Sequence, residues 1–229
     1  REAPGGGAAC AQTGNPRGAP ISPLLSNLYM RRFLLGWKTS GLEARLQARI
    51  VNFADDFVIC CRGTGEQAME AMRRMMDRLK LTVNEEKTGR CRIPQEHFDF
   101  LGYTFGRCYS TKTGRAYVGT RPSKKSIKKV CRTISEATSR QWLLATPEDR
   151  VERLNRVLIG WANYFCLGPV STSYRALDRH ARKRLRWWLC GKHKQRGRGT
   201  TRFPDAWLHQ TMGLKELSVR TRDLPWAKA

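Results

Sequence analysis

Ile50-Val51-Asn52-Phe53-Ala54-Asp55-Asp56-Phe57-Val58-Ile59-Cys60 is the stretch on which the reading of this chain turns. β-Branched and aromatic residues flank a short polar centre, the pattern of two strands joined by a tight turn. A carboxylate in a strand core would lose its hydration, so Asp55 and Asp56 belong at the exposed turn, with both arms expected to be buried. Two adjacent carboxylates at a strand tip are hard oxygen ligands that suit Mg2+. Paired magnesium ions about 4 Å apart clamp the attacking and leaving oxygens of a phosphoryl transfer, and carboxylates hold such a pair. Aspartate is also a common turn former that satisfies its own backbone, so a plain surface turn fits these residues alone about equally well.

The flanking sequence adds order to this centre. Pro16 and Gly18 break the chain ahead of a helix for which Ser22 can cap and Pro23 can take the first helical position, and the helix runs through Leu24, Leu25, Leu28 and Tyr29. After the carboxylates, Ala68, Met69, Met72, Met75, Met76 and Leu79 recur at helical spacing, with Arg73, Arg74, Asp77 and Arg78 on the other side. That stripe reads as core packing. Leu81 to Asn84 is expected to return as a strand, with Lys87 following in a polar loop. Phe98 to Phe105 reads as one strand, and Cys108-Tyr109, Thr113-Gly114 and Ala116 to Val118 read as the arms and turn of a further hairpin.

Charge separates the two halves of the chain. The 229 residues carry 43 Lys and Arg against 19 Asp and Glu, a formal net charge of +24. Residues 1–120 hold 18 basic and 11 acidic side chains, whereas residues 121–229 hold 25 and 8. A surplus of this size attracts polyanions, and its concentration in one half suits a nucleic-acid clamp better than a membrane-surface protein.

That basic half reads as three helices. The first packs Ile127, Val130, Cys131, Ile134 and Ala137 and presents Lys124, Lys125, Lys128, Lys129 and Arg132. The second opens with Thr146 as cap, Pro147 behind it and Glu148 and Asp149 in the first turn. Its buried stripe is Val151, Leu154, Leu158, Trp161 and Phe165, and Gly168-Pro169 ends it. The third, from about Ser173, buries Tyr174, Leu177, Ala181, Leu185 and Trp188 and presents Arg175, Arg179, Arg182, Lys183 and Arg186. Arginine bridges phosphates, and Trp187 can stack on an unpaired base. Gly191 to Gly199 forms a flexible basic loop expected to order on RNA, and residues 203–217 add a short covering helix.

The eight cysteines show no paired metal spacing and no small disulfide framework, so they read as reduced thiols. Cys190 and His193 lack the second pair that a zinc site needs. No run of about 18 apolar residues and no signal peptide are visible, so a soluble cytoplasmic protein with no membrane partner is expected.

Taken in order, the blocks Gly14 to Tyr29, Phe53 to Asp56, Leu79 to Thr88, Phe98 to Tyr103, Leu158 to Phe165 and Arg222 to Lys228 resemble group II intron-encoded reverse transcriptases with their maturase-specific thumb. The resemblance implies an α+β chain: a partial reverse-transcriptase palm over residues 1–120, an antiparallel sheet with packed helices, followed by an α-helical thumb over 121–229. It implies RNA-directed DNA polymerisation by two-metal nucleotidyl transfer in the complete protein, with Mg2+ as cofactor. Partners would be intron RNA, an RNA template, a DNA primer and dNTPs. Asp55 and Asp56 would bind the metal, Lys87 would protonate the departing pyrophosphate, and Phe53 and Ala54 would lie near the nucleotide. Pro16, Arg17 and Gly18 would touch the template. Phe100, Leu101 and Gly102 would form the primer grip, and Lys124, Lys125, Lys128, Lys129, Arg179, Arg182, Lys183 and Arg186 would contact RNA.

The family pattern is not fully met. Its third catalytic carboxylate comes from a strand several tens of residues before Gly14, and the lead Arg1 to Thr13 does not read as that strand. Fingers and first palm strand are therefore expected to be missing or supplied in trans, and the chain alone is expected not to polymerise. Phe53 stands for the usual tyrosine and keeps its ring, and Arg17 replaces a neutral amide with a fixed cation. No nuclease extension is expected after Ala229. The competing reading is a splicing cofactor that binds intron RNA without catalysis, or a decayed fragment.

Overall fold

In this computed structural model the described residues are 21–63, 65–110 and 113–224. They form an α+β structure whose packing divides the chain into Arg1–Arg90 and Cys91–Ala229.

The first unit contains α1 (Ser22–Thr39), α2 (Leu42–Arg45), β1 (Ala48–Phe53), β2 (Asp56–Cys61) and α3 (Glu66–Arg78). Helix α1 has Pro23 in its first turn, as its fixed φ favours, but Ile21 takes the cap position, so Ser22 does not cap. Strands β1 and β2 pair antiparallel with Ala48 opposite Cys61, Ile50 opposite Ile59 and Phe53 opposite Asp56. Alternation along the strands turns Ala48, Ile50, Phe57, Ile59 and Cys61 onto Phe33, Trp37, Met72 and Met76. The methionine stripe of α3 is core, as its spacing predicts. The expectation that both arms are buried fails on the other face, where Val51 is 56% and Phe53 62% exposed. A two-stranded hairpin with helices against one side leaves its second side open. Leu81 to Asn84 is not a strand. Leu81 and Val83 lean on the core, and the described β1–β2 sheet has no third strand with which they pair.

The second unit opens with β3 (Phe98–Phe100), β4 (Tyr103–Tyr109) and β5 (Ala116–Pro122), an antiparallel sheet in that order. The single strand expected over Phe98 to Phe105 is instead a hairpin that turns at Leu101-Gly102, where φ is +51° and +79°. The hairpin predicted around Thr113-Gly114 forms, with Cys108 opposite Tyr117 and Tyr109 opposite Ala116.

Helices α4 (Lys124–Ala137), α5 (Pro147–Tyr164), α6 (Ser171–Lys192) and α7 (Asp205–Gln210) follow. Ser123 caps α4 by accepting from the Ser126 N–H at 3.1 Å, and Thr146 caps α5 by accepting from the Asp149 N–H at 3.2 Å. Val130 and Ile134, Leu154 and Leu158, and Tyr174, Leu177 and Leu185 meet as the three apolar stripes of one core, closed by Leu208 and Leu217. No described helix is long and apolar enough to cross a membrane.

Candidate functional site

The β1–β2 tip is a two-residue turn. Ala54 takes φ +52°, Asp55 completes the turn, and Asp56 opens β2 opposite Phe53. The left-handed φ at Ala54 costs a non-glycine residue about 1 kcal/mol or more, so the hairpin register is kept at some strain. Asn52 Nδ2 donates to the Ala54 carbonyl at 3.4 Å and braces the bend. Asp55 and Asp56 are both exposed, and neither carboxylate makes an ion pair or hydrogen bond among the described residues of this strongly basic chain. Two unpaired carboxylates on consecutive residues at a hairpin tip fit a hard divalent cation as two of its oxygen ligands. Among the described residues no cluster of three or more His, Cys, Asp or Glu side chains adds a third.

Pro16, Arg17 and Gly18 lie outside the described residues. Lys87 is exposed in a turn set by Asn84, whose side-chain oxygen accepts from the Lys87 N–H at 3.2 Å. Its ammonium group has no ion-pair partner among the described residues.

Phe100 ends β3, and the Leu101-Gly102 turn beyond it is tied down by residues distant in sequence. The Tyr164 hydroxyl donates to the Leu101 carbonyl at 3.0 Å. The Ser123 N–H and the Ser126 hydroxyl donate to the Gly102 carbonyl at 2.8 and 2.9 Å. Tyr103 in turn donates to the Tyr164 carbonyl at 2.6 Å, and burial raises its phenol pKa above the usual value. A Cβ on Gly102 would meet Ser126 Oγ at 2.9 Å and a Phe165 ring carbon at 3.0 Å, so glycine serves both the left-handed φ and the close approach. In the sequence Tyr103 reads only as a member of the Phe98 to Phe105 strand, and nothing there links Ser126 or Tyr164 to a turn so far away along the chain.

The cationic residues fall into two groups. Lys124, Lys125, Lys128 and Lys129 are exposed along α4, and Arg179 and Lys183 are exposed on α6. Lys183 Nζ lies 4.6 Å from the ring centre of Trp187, which is itself 46% exposed. Arg182 and Arg186 turn inward: Arg182 pairs with Asp205 at 3.3 Å, while Arg186 pairs with the same carboxylate and donates to the Phe203 carbonyl at 2.8 Å. These two hold the start of α7 against α6. Arg184 donates to the Ser135 and Thr138 carbonyls at 2.9 and 3.2 Å, satisfying the C-terminal end of α4.

Two further residues matter to this scaffold. Asp178 is 3% exposed, and its carboxylate accepts from the Leu217 and Ser218 N–H groups at 2.8 and 2.9 Å. Its place four residues after Tyr174 on the apolar stripe of α6 is the signal that could have found it. His180 Nε2 lies 3.0 Å from the Cys131 carbonyl, and burial lowers its pKa more than that hydrogen bond raises it. Tyr174, whose hydroxyl faces the Ala162 and Phe165 carbonyls, has its pKa pushed up to about 12 by burial.

Two family models match the chain. One is the reverse transcriptase (RNA-dependent DNA polymerase) model over residues 6–105, and the other is the group II intron, maturase-specific domain model over residues 127–203. No curated protein matches it. The α+β architecture holds the matched segments in order, a reverse-transcriptase segment followed by a helical maturase segment. The chain belongs to the group II intron reverse transcriptase and maturase family.

Proposed function

We propose that this chain is the palm and thumb of a cytoplasmic group II intron reverse transcriptase and maturase, with the palm over residues 1–120 and the thumb over 121–229. The observation that carries the reading is the unpartnered pair Asp55 and Asp56 at the tip of a strained two-residue turn, in a chain otherwise rich in cations. The pair would hold Mg2+, which when bound neutralises charge on the primer 3′-oxygen and on the leaving pyrophosphate. Phe53, exposed opposite Asp56, packs on the incoming dNTP, and Lys87 gives a proton to the leaving group. Leu101 and Gly102 hold the primer end through a turn that the thumb helices keep in place. Residues 16–18 contact the RNA template.

Two carboxylates leave a two-metal site short of a ligand, so the third comes from outside the described residues or from a fingers fragment in trans. We take the third ligand to come in trans, so the 229-residue chain alone is an intron RNA-binding protein without polymerase activity. Its phosphate grip rests on Lys124, Lys125, Lys128, Lys129, Arg179 and Lys183, since Arg186 is paired with Asp205 and Arg182 is shared between Asp205 and Glu216.

Primer extension on an RNA template tests this. The chain alone should give no extended product, and a fingers fragment carrying the missing aspartate should restore extension in Mg2+. Asp55→Asn with Asp56→Asn should abolish the restored activity while intron RNA affinity and splicing support stay as in the unsubstituted chain. Extension by the chain alone would overturn the inactivity, and extension by the double variant would remove Asp55 and Asp56 from the site.

A further inference from the structure

We infer that the outer face of the β4–β5 hairpin is a stacking platform for unpaired RNA nucleotides, centred on Tyr109 and Arg107. Strand alternation puts Tyr103, Phe105, Arg107 and Tyr109 on one face, with Thr120, Val118 and Ala116 opposite the last three. The face begins under Phe165, where Tyr103 is buried, and grows more exposed toward the hairpin end: Tyr109 is 58% and Val118 60% exposed. On the opposite face the β4 residues Thr104, Gly106 and Cys108 are all buried, with Tyr117 and Gly119 of β5 half-buried beside them. One side of the hairpin therefore packs and the other offers flat side chains to solvent.

The exposed side has the chemistry of a base-binding surface. The Arg107 guanidinium lies 5.3 Å from the Tyr109 ring centre and makes no ion pair among the described residues. Deeper along the face, Phe98 and Phe105 stack with centroids 5.3 Å apart and planes 14° from parallel. From Tyr103 to Pro122 the sequence holds Arg107, Lys112, Arg115 and Arg121 and no acidic residue. A ring and a guanidinium plane accept any base by its π-face, while the net positive charge of this stretch of sequence attracts the phosphates between bases. Six residues of strand, about 20 Å, separate Tyr109 from the Leu101-Gly102 turn, so the platform is distinct from the grip proposed there.

This inference rests on the RNA-binding reading above, and its test separates the two. The full 229-residue chain is titrated against a short fluorescein-labelled single-stranded RNA of mixed sequence and a blunt RNA duplex of that sequence, at several salt concentrations. Tyr109→Ala should weaken single-strand binding about tenfold and leave duplex binding and the salt slope unchanged. Tyr109→Phe should bind as the unsubstituted chain does. Arg107→Ala should weaken single-strand binding and lower the slope by about 0.7.

Unchanged single-strand affinity in Tyr109→Ala, or equal losses on both RNAs, overturns the platform. If glutamine at the four α4 lysines weakens binding while Tyr109→Ala does not, the platform alone fails. An unsubstituted chain that binds neither RNA overturns both readings. A Tyr109→Ala change that alters sedimentation of the RNA-free chain, and not RNA affinity, would assign the face to contacts between copies and overturn the inference. Far-UV circular dichroism and intact duplex binding show that each variant is folded.

Discussion

Tyr103 and Tyr164 are linked reciprocally: the Tyr103 hydroxyl donates to the Tyr164 carbonyl at 2.6 Å, and the Tyr164 hydroxyl donates to the Leu101 carbonyl at 3.0 Å, two residues before Tyr103. Their ring centres lie 6.0 Å apart. One bond stands on the buried side of the β3–β4 turn and the other on the exposed side, so the turn is held from both. Tyr103→Phe leaves a carbonyl unpaired beside a buried ring and should cost about 1–2 kcal/mol in urea unfolding. Tyr164→Phe, at a half-exposed site, should cost about 0.5–1 kcal/mol. Because the two bonds share one short stretch of backbone, the double variant should cost less than the sum, and strict additivity would show the two tethers to be independent.

Asp178 carries the attachment of the C-terminal segment to α6. Its two carboxylate oxygens receive the N–H groups of Leu217 and Ser218, so Asp178→Ala strips two buried donors of a charged acceptor. Charge-assisted bonds of this kind are the stronger class, and the loss should be about 2–4 kcal/mol. Native-state hydrogen exchange should show Leu217 and Ser218 losing protection before the α6 core does. Retained protection at both amides would mean that apolar packing of Leu217 alone holds the segment.

His180 gives the helical segment a pH dependence of defined sign. Burial is the largest influence on its pKa and lowers it, so the folded state favours the neutral ring more than the unfolded chain does. The unfolded chain then binds more protons between the depressed folded value and about 6.5, and stability rises with pH through that window. The contribution is present above about pH 6.5 and is lost as pH falls toward the folded value. Urea midpoints measured downward from neutral pH should fall in this range, and His180→Gln, which keeps a donor for the Cys131 carbonyl, should flatten that limb. An equally steep limb in the variant would place the titrating group elsewhere.

Much of this architecture is legible in the sequence because local pattern and packing agree. The stripes Val130-Ile134, Leu154-Leu158 and Tyr174-Leu177 pack as their spacing predicts, and Thr146-Pro147 starts α5 by the chemistry of caps. Disagreement arises where distant residues decide. Phe98 to Phe105 reads as one strand because Leu101 is apolar and no Asn-Gly pair marks a turn. The left-handed Leu101 is maintained by Tyr164, Ser123 and Ser126, which local pattern cannot anticipate. The exposed α4 lysines and the inward Arg182 and Arg186 look alike on a helical wheel, and Asp205 and Glu216, brought back by the chain after α6, tell them apart. For the carboxylate pair, the turn itself is legible from its apolar arms. The open outer face of β1 and β2 is not, because that depends on how many layers pack on the sheet.

Salt dependence separates a phosphate grip on α4 from a merely solvated charged face. Lys124, Lys125, Lys128 and Lys129 are exposed, and none pairs with an acid among the described residues, whereas Arg132, also exposed on α4, is paired with Glu136 at 2.8 Å. If the four lysines neutralise phosphates, each contact releases counterions and contributes about 0.7 to the slope of log affinity against log salt on single-stranded RNA. Replacing all four with glutamine should therefore lower that slope by about 3 and weaken binding most at low salt. The same change should leave stability nearly untouched, because glutamine is a helix former comparable to lysine and these side chains carry no packing. Arg182→Gln and Arg186→Gln should behave in the opposite way, lowering the unfolding midpoint by breaking the Asp205 pair with little effect on the slope. Equal slopes in the lysine variant and the unsubstituted chain would move the phosphate grip off α4, and loss of slope in the Arg182 and Arg186 variants would show that RNA draws those side chains away from Asp205.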